Sequence, residues 1–235
     1  MHRFLIEPEA WSGEPGAVHL EGEEARHAIR VKRVRPGEPA EVMDGAGRRG
    51  TGTIGEIAPN RRSCSVDIVD ARTETPLAPR LEVWSAAPKG DRLETMIDHL
   101  SQVGATAWVP VRSALTAREL TDKRGERLRR VAGESLKQCG RSWALEIHEP
   151  VDIDGAWDGG GARVLVADAS GVSLGDVGGV AEAAVVRLVV GPEGGWTADE
   201  LAAARAAGAA VVSFGPHVMR IGTAAVVGAG VIRAL

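Results

Sequence analysis

Apolar and polar residues change rhythm along the chain near residue 73. Before that point the apolar positions fall in short runs, RFLI, AVHL, AEVMDG, GTGTIGEIA and SCSVDIVD, separated by glycine and other turn formers. Such runs predict many short strands and a small barrel, interrupted by one helix over EEARHAIRVKR. The stretch TETPLAPR, residues 73–80, holds two prolines and little apolar content, and reads as a linker. Beyond it strands alternate with helices. LEVWSAA, TAWVPV, RVLVADA, VRLVVG and AVVSFG are expected strands. DRLETMIDHLSQVG places Leu93, Met96, Ile97, Leu100 and Val103 at helical spacing, with Asp91 and Glu94 as an expected capping pair and Gly104 as the stop. A long helix follows, with Leu128, Val131, Leu136 and Cys139 expected on one face. Alternation of this kind predicts an α/β domain over residues 81–235, with a parallel sheet covered on both faces, after a β domain over residues 1–72.

Composition narrows the function classes. In a chain of 235 residues, 44% are hydrophobic and 26% charged, values ordinary for a soluble protein. The formal net charge of −4 supplies no global field toward nucleic acid, so any basic surface must be local. Cys64 and Cys139 lie far apart and lack metal-ligand spacing, which argues against a zinc site or a disulfide framework and fits a reducing, cytoplasmic setting. No signal peptide is expected at MHRFLIEPEA, and no apolar run is long enough to span a bilayer.

Two glycine signals need sorting. GAGRRG, residues 45–50, matches a dinucleotide fingerprint, but the TGTIGEIA after it reads as a strand where that fingerprint must open a helix; a hairpin connection is expected instead. VVGPEGGWTADE, residues 189–200, has the right context. A strand leads into Gly-Pro-Glu-Gly-Gly, and Thr197 with Glu200 makes a capping box, stapled by Trp196 and Leu201, that starts a helix. Bare backbone beyond a strand's carboxyl end is where open α/β sheets bind ligands. FGPHVMRIGTAA, residues 214–225, likewise follows a strand and precedes an apolar helix, and its strand is expected beside the first. Gly228 and Gly230 inside that last helix each cost about 1 kcal/mol relative to alanine, so a backbone must pack closely there, from this chain or from a second copy.

Together the two loops resemble the cofactor site of the SPOUT methyltransferases, and in particular the RsmE-type family. PKGDRLE at 88–94, ESLKQCGR at 134–141 and HAIRVKRVRPGE at 27–38 extend the similarity over nearly the whole chain. The resemblance implies a PUA-like β-barrel followed by a parallel α/β domain with a trefoil knot. It further implies S-adenosyl-L-methionine as cofactor, methylation of N3 of a uridine in 16S ribosomal RNA or the small ribosomal subunit, and a homodimer through the C-terminal domain, with no metal and no membrane. Cofactor contacts are expected from Asp168, Gly191, Glu193, Gly194, Gly195, Phe214, Gly215, Val218, Met219, Arg220, Thr223 and Ala224. Two departures stand out: Gly222 occupies a usually acidic position, and Gln102 replaces a usual glutamate.

Removing the N3 proton and stabilising charge on O2 or O4 calls for a base and a cation. Arg220, Glu193 and Arg141 are the candidate catalytic residues; His217, where the family carries arginine, is assigned to solvent or RNA. RNA contacts are expected from Arg3, Arg26, Arg30, Lys32 and Arg33 in the first half and from Arg127, Arg130, Lys137, Gln138 and Arg141 in the second. With no tyrosine and only two phenylalanines, a broad base-stacking platform is not expected. Ribose 2′-O-methylation and a non-catalytic RNA-binding or ribosome-assembly role are the rival functions.

Overall fold

The computed structural model describes residues 1–116 and 121–235. The chain divides into two compact units: Met1–Pro76 with Leu136–Ala144, and Leu77–Ser135 with Leu145–Leu235.

The first unit holds β1 (His2–Leu5), β2 (Gly16–Leu20), α1 (Gly22–Arg26) continued by a wider π-helical turn (His27–Lys32), β3 (Pro39–Met43), β4 (Arg48–Ile57) and β5 (Cys64–Thr73). The five strands form one mixed sheet in the order β1-β3-β4-β5-β2, and the glycine run at 45–50 is the turn from β3 into β4, with Gly45 and Gly47 at φ 71° and 99°. Phe4, Ile29, Val42, Ile54 and Val66 make its core with Trp11 at one side. Segment 136–144 is tied in by arginines. Glu41, 2% exposed, binds Arg3 at 2.9 Å and Arg49 at 2.6 Å; Arg3 also donates to the carbonyls of Lys137 and Gln138, and Arg49 to that of Gly140. A buried carboxylate is tolerable only with such charge-assisted partners.

In the second unit lie β6 (Arg80–Ser85), α2 (Arg92–Gln102), β7 (Ala107–Arg112), most of α3 (Asp122–Cys139), β8 (Glu146–Ile147), β9 (Val151–Asp152), α4 (Asp154–Trp157), β10 (Arg163–Ser173), β11 (Val185–Val190), α5 (Ala198–Ala206), β12 (Ala210–Ser213) and α6 (Ile221–Ala234). The sheet runs β12-β10-β11-β6-β7-β8 with every pair parallel, and β9 pairs with the end of β7. Alternation along each strand separates two cores. Leu165 and Leu188 join the cluster that holds α2 and α6, whereas Val164, Val166 and Val189 join the cluster with α4 and α5. Each fully buried leucine contributes roughly 1.5–3 kcal/mol. The α2 stripe of Leu93, Met96, Ile97 and Leu100 is buried as its spacing requires. The helix ends in a Schellman turn: Gly104 N–H donates to the Ser101 carbonyl and Ala105 N–H to that of Leu100, with Gly104 at φ 87°.

Three local expectations are corrected. Asp91 is helical (φ −71°, ψ −12°), not in the extended backbone a capping side chain needs, and its side chain caps nothing; Glu94 pairs with Arg127 at 2.9 Å. Cys139 is exposed: α3 ends there, and its buried side is continued by Ser135 and Leu136. Finally, β12 does not lie beside β11. β10 separates them, with Ala167 paired to Val190 on one side and Val212 on the other.

Glycines make the close fits. A Cβ on Gly171 would stand 2.5 Å from the Val212 amide nitrogen, where β10 and β12 are irregularly paired. One on Gly228 would stand 2.8 Å from Leu188 and from Phe214, so the close packing there lies within the chain; Gly230 has open space. Gly171→Ala is expected to destabilise the second unit by about 1–3 kcal/mol, since it forces backbone apart. Urea unfolding of the variant beside wild type measures this, and equal midpoints would refute the close approach.

Candidate active site

Ala167 of β10 stands abreast of Val190 and Val212, near the carboxyl ends of β11 and β12, and the loops leaving those two strands rise on either side of β10. Between them opens a cavity of about 320 Å³, within the size range of small-molecule sites.

The loop after β11 is shaped by its glycines. The Trp196 ring covers Gly191, where a Cβ would come within 2.9 Å of it. The same indole donates from Nε1 to the Ala167 carbonyl at 3.0 Å, which fastens the loop to the end of β10. Gly194 backs onto Leu115, whereas Gly195, at φ 74°, faces open space. α5 then starts on its capping box: Thr197 Oγ1 accepts from Glu200 N–H, and the Glu200 carboxylate accepts from Thr197 N–H at 2.8 Å and from Ala114 N–H at 3.1 Å. Caps of this kind contribute about 1 kcal/mol, and here the cap also holds the loop's exit. Trp196 and Leu201 pack in the same hydrophobic cluster, as the staple requires.

Most of the residues expected around a cofactor line this cavity: Asp168 from β10; Gly191, Glu193, Gly194 and Gly195 from the first loop; Phe214, Gly215, Val218 and Met219 from the second; and Ala224 from α6. Asp168 also makes a turn, its Oδ1 accepting from Ser170 N–H at 2.8 Å and from Ser170 Oγ at 2.6 Å. His217 is on the wall as well. Arg220 and Thr223 are not. They line a second cavity of about 430 Å³ with Pro88, Arg92, Thr95, Met96, His99 and Gly222. Glu193 and Ile221 belong to both walls. Arg220 is the N-cap residue of α6, so its carbonyl accepts from Ala224 N–H while its side chain makes no cap bond. Arg92 falls within the PKGDRLE similarity, but nothing in the helical spacing of α2 joins it to Thr95 and His99 around a cavity; all three are on the exposed side of that helix.

The expected RNA contacts divide. Arg26, at the end of α1, is exposed and pairs with Glu23 at 3.4 Å; Arg30 on the π-helical turn and Arg33 just after it are exposed, with Arg33 in left-handed backbone at φ 53°. Lys32 donates to the Arg3 carbonyl at 2.9 Å and stands 5.0 Å from the centre of the Phe4 ring. Arg3 is engaged by Glu41 and carbonyls as described. Lys137, 7% exposed, is paired with Glu24 and turned away from solvent. Arg130 is exposed; Arg127 is exposed but paired to Glu94. Gln138 is exposed and Arg141 half-buried, both in the segment that clusters with the first unit. No group of three or more His, Cys, Asp or Glu is placed to hold a metal among the described residues.

Known proteins match this architecture. A model of the RNA methyltransferase domain family covers residues 73–233, and one of the RNA methyltransferase PUA domain covers residues 20–69. The ribosomal RNA small subunit methyltransferase E of Mycobacterium bovis is 32% identical over 94% of this chain and 88% of its own length; that of Bacillus subtilis is 24% identical over 95% and 93%. The crystal structure of a ribosomal RNA small subunit methyltransferase E from Neisseria gonorrhoeae bound to S-adenosyl methionine superposes with a TM-score of 0.89 at 26% identity, covering 100% of this chain and 97% of that one. The PUA-like unit and the parallel α/β unit are thus those of a SPOUT enzyme, and the chain belongs to the RNA methyltransferase family, among the relatives of ribosomal RNA small subunit methyltransferase E.

Proposed function

We propose that this enzyme methylates N3 of a uridine in 16S ribosomal RNA, in the cytoplasm, with S-adenosyl-L-methionine as methyl donor. The observation that carries the reading is the first cavity: a bare, glycine-lined hollow at three parallel strand ends, in a chain whose relatives methylate small-subunit ribosomal RNA and one of which holds that donor.

The residues present fit the donor. A Cβ is missing where the first loop faces the cavity at Gly195, so a flat ligand can reach backbone amides. Val190, Val212, Phe214 and Met219 offer an apolar wall for an adenine ring, and Asp168 and Glu193 offer acceptors for hydroxyl groups or charge complementarity to a cation. When bound, the cofactor supplies an electrophilic methyl group on a positively charged sulfur.

The chain's own part is positioning, proton handling and charge. Glu193, on the wall shared by both cavities, is assigned to accept the N3 proton. Arg220, across in the second cavity, is assigned to the negative charge that spreads onto the uracil oxygens as that proton leaves. RNA phosphates are assigned to the exposed Arg26, Arg30, Arg33 and Arg130, with Gln138 and Arg141 near the strand's path. Arg3 and Lys137 are left out because buried or part-buried protein groups engage them, whereas the Arg26–Glu23 pair is solvent-exposed. A second copy is assigned to α6, which is apolar nearly all round yet leaves Val231 38% and Leu235 56% exposed.

Nucleoside mass spectrometry of 16S RNA from cells with and without the protein tests the reading. Loss of N3-methyluridine is expected; loss of a ribose-methylated nucleoside, or no loss, would overturn it. Gly195→Val forces a β-branched residue to φ 74° and is expected to weaken donor binding at least tenfold, because such strain costs about 1–3 kcal/mol; calorimetric titration with the donor reads it. Arg220→Ala is expected to lower single-turnover methylation about 10²-fold while donor affinity stays nearly constant. A wild-type rate would remove Arg220 from the chemistry.

A further inference from the structure

The second cavity lies next along the same sheet edge. Val190 ends β11 beside Ser85 of β6, and the segment leaving β6 supplies Pro88 and Arg92 to its wall. Its polar lining is two obligate donors, Arg92 and Arg220, three groups that donate or accept, Thr95, Thr223 and His99, and one carboxylate, Glu193. Gly222 contributes no side chain, and Glu193 is the one acidic group among the residues of that wall.

Uracil presents an acceptor, a donor and an acceptor along its pairing edge: O4, N3–H and O2. A wall with donors around a single carboxylate is the complement of that edge. Cytosine carries no proton on N3 and would turn that bare acceptor toward the Glu193 carboxylate, so it is matched less well. A phosphate would meet the cations but also the Glu193 charge. The carboxylate that matches N3–H is also the residue that faces the first cavity, so the edge to be modified would point toward the donor. Extrahelical bases are commonly read through their pairing edge in such pockets, and a site built to hydrogen-bond its substrate rejects one that lacks the partner strongly.

We propose that this second cavity is the acceptor-base subsite and that Arg92, Thr95 and Thr223 read the two uracil oxygens, while the bare Gly222 keeps room for the ring. The assignment rests on the proposed function and adds the groups that select the base. Thr95 and Thr223 stand one on each wall, from α2 and α6, so the two oxygens need not share one donor.

The test uses the full-length protein loaded with labelled donor and transcribed 16S RNA, beside Arg92→Gln, Thr223→Val and Gly222→Leu. Wild-type methylation of uridine in that RNA checks the proposed function itself. In the variants, single-turnover methylation at saturating RNA is expected to fall about tenfold or more, in line with loss of a hydrogen bond to a buried partner. Donor affinity, RNA affinity and sedimentation are expected to change less than twofold. Glu182→Gln, exposed and outside both cavities, is the control and should stay near wild type. With an active wild type, unchanged rates in all three variants would overturn the subsite. So would a fall in RNA affinity that saturating RNA fully repairs, which would make Arg92 a phosphate contact, or a change in sedimentation that accompanies the loss, which would give this face to a second copy. A rise in cytidine methylation by Thr223→Val, on RNA with cytidine at the mapped target, would support it.

Discussion

Everything at the active face depends on how β10 is held between β11 and β12. Its register sets Ala167 against both Val190 and Val212, and that alignment brings two loops remote in sequence to one cavity. The fit is tight. Gly171 lets the β12 backbone approach where no other residue would, and Trp196 spans from the first loop back to the Ala167 carbonyl. A strand displaced by one residue would turn Leu165 and Val166 to the wrong faces and uncouple the two cores. Burial on both sides therefore fixes the geometry of the site, and the loops themselves need little intrinsic stiffness.

The glycines of this region answer different demands. Gly191 makes space for an indole, Gly194 for Leu115, and Gly228 for Leu188 and Phe214; these are packing solutions. Gly195 meets no side chain and sits in left-handed backbone, so its role is conformational and its bare surface faces the cavity. Gly222 is of a third kind. It has ordinary backbone and ordinary space for a Cβ, so nothing in packing or conformation demands a glycine. A residue spared by both constraints, on the wall of a cavity, is best accounted for by what the cavity must admit.

The sequence carried the local part of this well. Thr197 with Glu200 is legible because a capping box involves two residues three apart, and the α2 stripe because burial on one side imposes its own period. GAGRRG was separable from a dinucleotide loop by what followed it. Contacts set by distant segments were not legible. Successive strands often pair, and that tendency predicts β12 beside β11; the fold instead inserts β10, which pairs with both up to Ala167 and beyond it with β12 alone. Asp91 has the usual spelling of a cap, yet its backbone is already helical, and Glu94 turns to Arg127, far along the chain. The second cavity was invisible for the same reason, since it joins the solvent side of α2 to the start of α6.

Charge was the least readable property, and the reason is physical. A basic residue in sequence states its sign but not its partner. Lys137 and Arg3 carry the same letters as Arg30 and Arg33, but the first pair neutralises buried carboxylates or caps helix carbonyls, so moving either toward a phosphate would leave a buried group unpaired. Arg26, Arg30 and Arg33 stay exposed because the π-helical turn and the left-handed Arg33 push the chain outward there. The basic run on α3 divides similarly, with Arg124, Arg127 and Arg129 bound to Gly90, Glu94 and Glu149. Counterion release rewards only cations that reach phosphate without abandoning a protein partner. On that criterion Arg30 and Arg33 of the first unit are better placed as the proposed phosphate contacts than the paired arginines of α3.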